Sequence, residues 1–260
     1  MSELVLREMG EGILRLTLND PATRNSLSEM MIKKLRAVLD EPDARVIIIG
    51  AHGPVFSSGH NLKEITSRRA DADEGRSFFK SLFDQCADLM LAIMNNPCPV
   101  IAEIDGLASA AGCQLVASCD LAIATNRSTF CTPGVNIGLF CSTPMVALSR
   151  NVSRKHAMEM LLTGDIIQAP DALRMGLINR VTTHNELKTV TQELAEKIAS
   201  KSGTAMKIGK QTFNAQTEMA VSEAYAYMTK IMADNLLQAD AHEGIGAFIQ
   251  KREPKWEPDR

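Results

Sequence analysis

Three short, almost wholly aliphatic runs constrain this chain more than any other feature: Val46-Ile-Ile-Ile49, Val100-Ile-Ala-Glu-Ile104 and Leu121-Ala-Ile-Ala124. Each has the length of a strand, and none alternates polar with apolar residues. A strand that reads apolar on both faces must be covered on both faces, the condition of a parallel sheet clothed in helices. The intervening segments carry helical spacing. Leu27, Met31, Leu35, Val38 and Leu39 share one face, opened by Ser26-Leu-Ser-Glu29, which has the form of a capping box. Phe79, Leu82, Phe83, Cys86, Leu89, Met90, Ile93 and Met94 keep the helical period up to Asn95-Asn96-Pro97. Alternation in residues 4–8 and 13–18, around Met9-Gly-Glu-Gly12, predicts an N-terminal hairpin. From Asn185 onwards the pattern is nearly all helical, with breaks expected at Gly203 and at Ala239-Asp240. Strand–helix repetition followed by a helical third predicts an α/β fold with a helical C-terminal region.

Composition removes whole classes of function. The chain has 260 residues, and 28 Lys+Arg against 31 Asp+Glu leave a net charge of −3. Phosphate binding wants a basic excess, so nucleic acid is not an expected partner. No apolar run approaches the roughly 20 residues of a membrane span. The six cysteines, at 86, 98, 113, 119, 131 and 141, include no C-x-x-C pair, so no metal site is expected and buried reduced thiols are. Glu3, Glu8, Glu11 and Asp20 argue against a transit peptide within the first 20 residues. Two nucleotide motifs also fail. Gly106 and Gly112 are spaced G-x₅-G, not G-x-G-x-x-G, and Gly209-Lys210-Gln211-Thr212 lacks the upstream glycine of a P-loop.

Two segments are placed to do chemistry. Phe56-Ser-Ser-Gly-His-Asn-Leu-Lys-Glu64 follows one buried strand, and the small, flexible-looking Asp105-Gly-Leu-Ala-Ser-Ala-Ala-Gly-Cys-Gln114 follows another and runs into a helix. Both are ordinary strand-to-helix turns in their plainest reading. Both also leave backbone N–H groups open, and two such loops on neighbouring strands can aim two donors at one oxygen.

In combination these segments, with Asn19-Asp-Pro-Ala-Thr-Arg-Asn25 and the stretches 97–120 and 165–181, resemble the crotonase (enoyl-CoA hydratase/isomerase) superfamily over essentially the whole chain. The resemblance implies a crotonase-like spiral of ββα turns over residues 1–185. It also implies a helical C-terminal trimerisation region over 186–260, and a homotrimer or dimer of trimers. It implies an acyl-CoA thioester as ligand or substrate, with no other cofactor. The family's oxyanion hole uses two backbone N–H groups, which fall here on His60 and Ala111. Its CoA contacts fall on Arg24, on the loop Gly59, His60, Asn61, Leu62 and Lys63, and on Lys251. Lys63 and Lys251 read equally well as solvated charges. The 132–144 segment resembles a mitochondrial member of the family, and a mitochondrial address is expected on that ground.

The same resemblance exposes a departure. Hydratases of this family carry one glutamate in G-G-G-C-E and another in P-E, where this chain has Ala110-Ala-Gly-Cys-Gln114 and Pro133-Gly134. Glutamine orients water but takes no proton from it at neutral pH. Between Gly106 and Met158 the only acid is Asp120, which precedes a buried strand and reads as structural. The polar candidates left are His60, Ser109, Cys113, Asn136, Cys141 and Ser142, and His60 alone has a pKa suited to acid–base work. In its plainer reading His60 is a loop histidine, and Cys141 has no base beside it in sequence. Three functions stay open: a thioester-binding protein without two-glutamate hydration, an enzyme with a displaced acid or base such as Asp105 or His60, and a non-catalytic binding or assembly protein. Restoring both glutamates is expected to restore hydration unless Gly134 sits at φ > 0.

Overall fold

The computed structural model describes residues 3–39 and 44–256; the ends of the two expected regions, at 1–2 and 257–260, lie outside them. The hairpin expected at the N-terminus is present as β1 (Val5–Gly10) and β2 (Ile13–Leu18). Its two loop residues, Glu11 and Gly12, both lie at positive φ, the tight turn whose twist suits a hairpin. After α1 (Glu29–Leu39), three successive turns of chain each lay down one strand in a large sheet, one in a small sheet and then a helix. These turns are β3 (Val46–Ala51), β4 (Val55–Ser57), α2 (Leu62–Ser67) and α3 (Arg76–Asn95); then β5 (Val100–Ile104), β6 (Leu107–Ser109) and α4 (Ala111–Ser118); then β7 (Leu121–Thr125), β8 (Thr129–Cys131) and α5 (Ser142–Asn151). The repetition is the expected spiral. The large sheet has the order β1-β2-β3-β5-β7-β10, with β10 at Arg180–Thr182, and is parallel beyond the hairpin. The small sheet runs β4-β6-β8-β9, with β9 at Ile167–Gln168.

The aliphatic runs are apolar on both sides because both sides are covered. Ile47 and Ile49 enter the main core, while Val46 and Ile48 point the other way into a second cluster with Ile13, Ile101 and Ala195. After α6 (Arg154–Thr163) and α7 (Ala169–Met175) comes α8 (Leu187–Ala199), to which Ala195 belongs and which therefore lies on the large sheet itself. Glu103 interrupts the apolar pattern on that face. Its carboxylate meets Arg15 of β2 at 2.6 Å, reaching over β3 at Gly50, where a Cβ would stand 3.2 Å from Glu103 Oε1. All six cysteines are buried free thiols, as expected. Among the described residues no helix is long and apolar enough to cross a membrane.

Two local expectations are corrected. The N-cap of α1 is Ser28, whose Oγ accepts from Met31 N–H at 3.2 Å; Ser26 instead hydrogen-bonds Thr23, and the glutamate reaching this helix start is Glu64, through Glu29 N–H. The 105–114 segment is not a loose loop, since Leu107–Ser109 pairs with both β4 and β8.

The C-terminal helices are α9 (Gly203–Gln216), α10 (Val221–Leu236) and α11 (Ala239–Gln250); α9 and α11 begin at the expected breaks, and the start of α10 at Val221 is a further, unexpected break. Lys210 of α9 is buried and fastens them to the spiral. Its ammonium lies 2.6 Å from Asp120 Oδ2 and donates to the carbonyls of Ile93 and Cys98, while Asp120 also accepts from Val100 N–H. Asp120 is thus structural, as its place in the sequence suggests. Asp120 is partly open to solvent, so Lys210→Met strands two carbonyls and a carboxylate that water still reaches in part, and is expected to cost about 1–3 kcal/mol of stability in chemical denaturation. A loss under about 1 kcal/mol, at the level of a surface pair, would contradict this role.

Candidate functional site

The two segments singled out in the sequence meet face to face. Gly59, at φ +83°, comes so close to the start of α4 that a Cβ there would lie 2.9 Å from Ser109 O and 3.2 Å from Ala111 N. Gly112 repeats the approach from the other side: its Cβ would lie 2.4 Å from Ser57 O. Only glycine allows contacts this close between backbones.

Leu27 fixes the orientation of the first loop by being held twice. Its N–H donates to Gly59 O at 2.8 Å, and its carbonyl lies 3.0 Å from His60 Nδ1. Because a peptide unit points its C=O and N–H in opposite directions, tying Gly59 O to Leu27 turns His60 N–H away from it. The residues around this clamp are fixed in turn. Asn25, buried at φ +50°, accepts from Asp20 N–H and donates to the carbonyls of His52 and Val55. Ser57 Oγ donates to Asn25 O, and Ser58 N–H to Arg24 O. Asn61 caps α2 by accepting from the N–H groups of Lys63 and Glu64.

On the second loop Ala110 holds an unusual conformation, φ 50° and ψ −116°, with its N–H on Cys131 O and its carbonyl on Gln114 N–H. That region favours glycine, and a side chain there costs on the order of 1–3 kcal/mol. The following N–H, that of Ala111, opens α4. Among the described residues neither His60 N–H nor Ala111 N–H has an acceptor. Two unpaired donors therefore stand on loops in contact, an arrangement that can hold one oxygen with developing negative charge.

Two side-chain atoms beside these donors are also unpaired and buried, His60 Nε2 and Gln114 Oε1. The His60 ring stands edge-on to Phe83, with centroids 5.2 Å apart, and burial holds its pKa below the ordinary 6.5. The imidazole is therefore neutral at pH 7, with its proton on Nδ1 facing Leu27 O and a bare lone pair on Nε2.

Gly134 lies in the 3₁₀ turn Pro133–Ile137 and does not have positive φ. The obstacle there is space: a Cβ would stand 3.0 Å from both Cys141 Sγ and Leu139 O. The backbone strain that would have opposed a glutamate at 134 is therefore absent, and a side chain there has instead to displace Cys141 and Leu139. Burial pushes the Cys113, Cys131 and Cys141 thiols up, which opposes a thiolate nucleophile at any of them. Ser109 Oγ accepts from the Cys131 thiol at 3.4 Å.

Asp105 does not reach this site. Arg127 and Thr125 donate to its carboxylate, His184 Nδ1 lies 2.7 Å from it, and Arg127 holds its pKa below the usual range. Arg24 and Lys63 are exposed on or beside the 57–63 segment. Lys251 caps α11 at φ 55°, and no hydrogen bond or ion pair joins it to that segment within the described chain. Leu27 and Cys131 carry no sequence signal for their parts here, because both act through main-chain groups. A groove of about 490 Å³ between α1 and α3 is lined by Ile32, Lys33, Arg36 and Gln85 and includes neither loop.

Burial of His60 also makes stability depend on pH. A histidine whose folded pKa is depressed takes up its proton more readily in the unfolded chain, so its contribution to stability is present above 6.5 and is lost as pH falls through the folded value. Between about pH 7 and about pH 5 the wild-type protein is therefore expected to lose more stability in chemical denaturation than His60→Gln, which has no proton to gain there. Parallel pH curves for the two proteins would contradict the buried neutral imidazole.

Comparison with known proteins places this geometry. Residues 8–259 match the family described as enoyl-CoA hydratase/isomerase. The rat protein named enoyl-CoA hydratase domain-containing protein 3, mitochondrial, is 49% identical over 250 residues, covering 95% of this chain and 82% of its own length. The crystal structure of the human enoyl coenzyme A hydratase domain-containing protein 3 superposes with a TM-score of 0.92 at 47% identity, covering 98% of this chain and all of that one. A Mycobacterium smegmatis enoyl-CoA hydratase structure gives 0.93 at 43% identity, covering 98% of this chain and 99% of that one. The chain belongs to the enoyl-CoA hydratase/isomerase family.

Proposed function

We propose that this protein binds acyl-CoA thioesters and does not hydrate enoyl-CoA by a two-glutamate mechanism. One observation carries the reading: the adjoining, unpaired N–H groups of His60 and Ala111, which suit a thioester carbonyl oxygen. Arg24 and Lys63, exposed on or beside the 57–63 segment, are the cations we assign to the CoA phosphates, and Lys251 is assigned to the same ligand as part of a helical C-terminal arm. Water addition needs a group that takes a proton, and general acid–base groups contribute roughly 10²–10⁴ each. Gln114 cannot take one, Gly134 has no side chain, and Asp105 and Asp120 are held elsewhere. A role in fatty acid metabolism follows from the thioester ligand, and the relatives named mitochondrial support a mitochondrial location.

The test is calorimetry and a turnover panel with CoA thioesters on the purified protein. Binding is expected for acyl-CoA, with crotonyl-CoA hydration near background. Gln114→Glu with Gly134→Glu is expected to gain little, because a side chain at 134 must first displace Cys141 and Leu139. Absence of heat with every thioester would overturn the binding reading; a robust wild-type hydratase rate would overturn the catalytic one.

A second reading is favoured by the bare His60 Nε2: a base that removes a C2 proton from a thioester held in the oxyanion hole. It requires deuterium to enter C2 of butyryl-CoA in D₂O, and to stop entering in His60→Gln.

Self-association is the other part of the proposal. Phe213, Val221, Tyr225, Leu237, Phe248 and Ile249 on and between α9–α11 are each at least 64% exposed. Apolar surface on this scale marks an interface, which supports a trimer or dimer of trimers. Sedimentation is expected to show a multiple of three chains, and Phe248→Glu with Ile249→Glu to shift it towards monomer; a wild-type monomer at micromolar concentration would contradict the proposal.

A further inference from the structure

His60 is held from two sides, and only one of them is a hydrogen bond. Its Nδ1 lies 3.0 Å from Leu27 O, while its ring stands at 83° to that of Phe83, with centroids 5.2 Å apart. A hydrogen bond at one ring atom leaves the imidazole free to swing about that contact. Edge-to-face packing against a second aromatic ring opposes the swing. Phe83 arrives on a fixed helix: Leu82, Cys86 and Leu89 of α3 are buried in the main core, and Gln85 donates to Glu29 Oε1 of α1. Phe83 is itself 38% exposed, whereas His60 Nε2 is fully enclosed. On the α3 side, then, a single side chain touches both the imidazole and solvent. Charged neighbours do not take its place. Among those on the adjoining helices, Glu64 accepts from Glu29 N–H, Glu29 holds Lys33 and Gln85, Asp84 pairs with Lys80, and Lys63 is exposed. Burial, opposed by the Leu27 carbonyl, sets how readily His60 takes a proton.

We infer that Phe83 is a positioning residue for His60: together with Leu27 it fixes the imidazole, shuts water from it on the α3 side and keeps Nε2 as the bare nitrogen. The inference rests on the reading of His60 as the base that removes a C2 proton, and it adds the residue that keeps this base uncharged. In that reaction the C2–H bond breaks and Nε2 takes the proton. The electron pair moves onto the thioester oxygen that faces the N–H groups of His60 and Ala111. After exchange with solvent, Nε2 returns a deuteron to C2. An imidazole that already carries a proton on Nε2 accepts none. Water admitted to the ring favours that charged form, so losing the Phe83 cover removes the base without touching it directly.

The experiment follows His60 by NMR in the full chain carrying isotope-labelled histidine, its signal identified by its absence from His60→Gln. In the wild type the ring is expected to titrate below 6.5, with its proton on Nδ1. Phe83→Ser opens the cover, and is expected to move the titration up towards the ordinary value and to weaken the preference for Nδ1. Phe83→Tyr keeps the ring and is expected to titrate as the wild type does. Deuterium entry at C2 of butyryl-CoA is expected to follow the titration. The acid limb of its pH–rate profile moves to higher pH in Phe83→Ser and stays in place in Phe83→Tyr. A His60 titration unmoved by Phe83→Ser, or moved equally by Phe83→Tyr, would overturn the inference. Absence of exchange in the wild type would overturn the base reading instead, and the NMR titration would still decide the part played by Phe83. A melting midpoint for each variant completes the test, because lost packing alone lowers the midpoint without moving the titration.

Discussion

Everything at the candidate site depends on two backbone segments standing closer than any side chain permits. Gly59 lies against Ser109 and Ala111, and Gly112 lies against Ser57, so each loop uses a glycine where the other's main chain passes. The contact would be useless if the peptide planes turned freely. Leu27 prevents that by engaging Gly59 O and the His60 ring together, and the pairing of Leu107–Ser109 between β4 and β8 does the same for the second loop. The donors are thus oriented before any ligand arrives, which is the condition under which such groups are effective. The strained Ala110 belongs to the same arrangement: its backbone turns the chain from β6 into α4 within one residue.

The electrostatics of the site follow from where the nearby acids have gone. Asp105 is satisfied by Arg127, Thr125 and His184; Asp120 by Lys210 and Val100; Glu64 by the start of α1. The buried polar groups left where the loops meet are neutral: two amide N–H groups, an imidazole whose charging is opposed by burial, an amide side chain and thiols whose ionisation is opposed by burial. The buried part of the site thus carries no charge of its own, and the exposed cations Arg24 and Lys63 lie outside it.

Much of this was legible in the residues, for identifiable reasons. Strands buried on both faces leave an unbroken aliphatic signature, which is why β3, β5 and β7 read clearly; the helices between them read from period. The two loops were legible through their glycines, and the family resemblance supplied which N–H groups matter. Contacts between distant segments were not legible. Ser26 and Ser28 have the same chemistry two residues apart, and only the tertiary contact with Glu64 decides which one caps α1. The β6 strand is three residues of Leu, Ala and Ser, too short for any period to appear. Leu27 acts through its main chain, and the crowding at Gly134 comes from Cys141, on the far side of a turn that the sequence does not announce. Lys210 looked like part of a failed phosphate motif and proved to be the buried anchor of the C-terminal helices.

The ion pair across the large sheet ties three strands together in a way that bears on how this sequence can drift. Arg15 on β2 reaches Glu103 on β5 only because β3, between them, presents Gly50 and no side chain. A methyl group at 50 presses on the carboxylate, loss of Glu103 strands a half-buried guanidinium, and loss of Arg15 leaves an acid enclosed on a sheet face otherwise aliphatic. Each step alone is penalised, while an apolar trio at the three positions fits the cluster beside it. The three sites are therefore epistatic: replacing all three with apolar residues is expected to cost less than the sum of the single replacements.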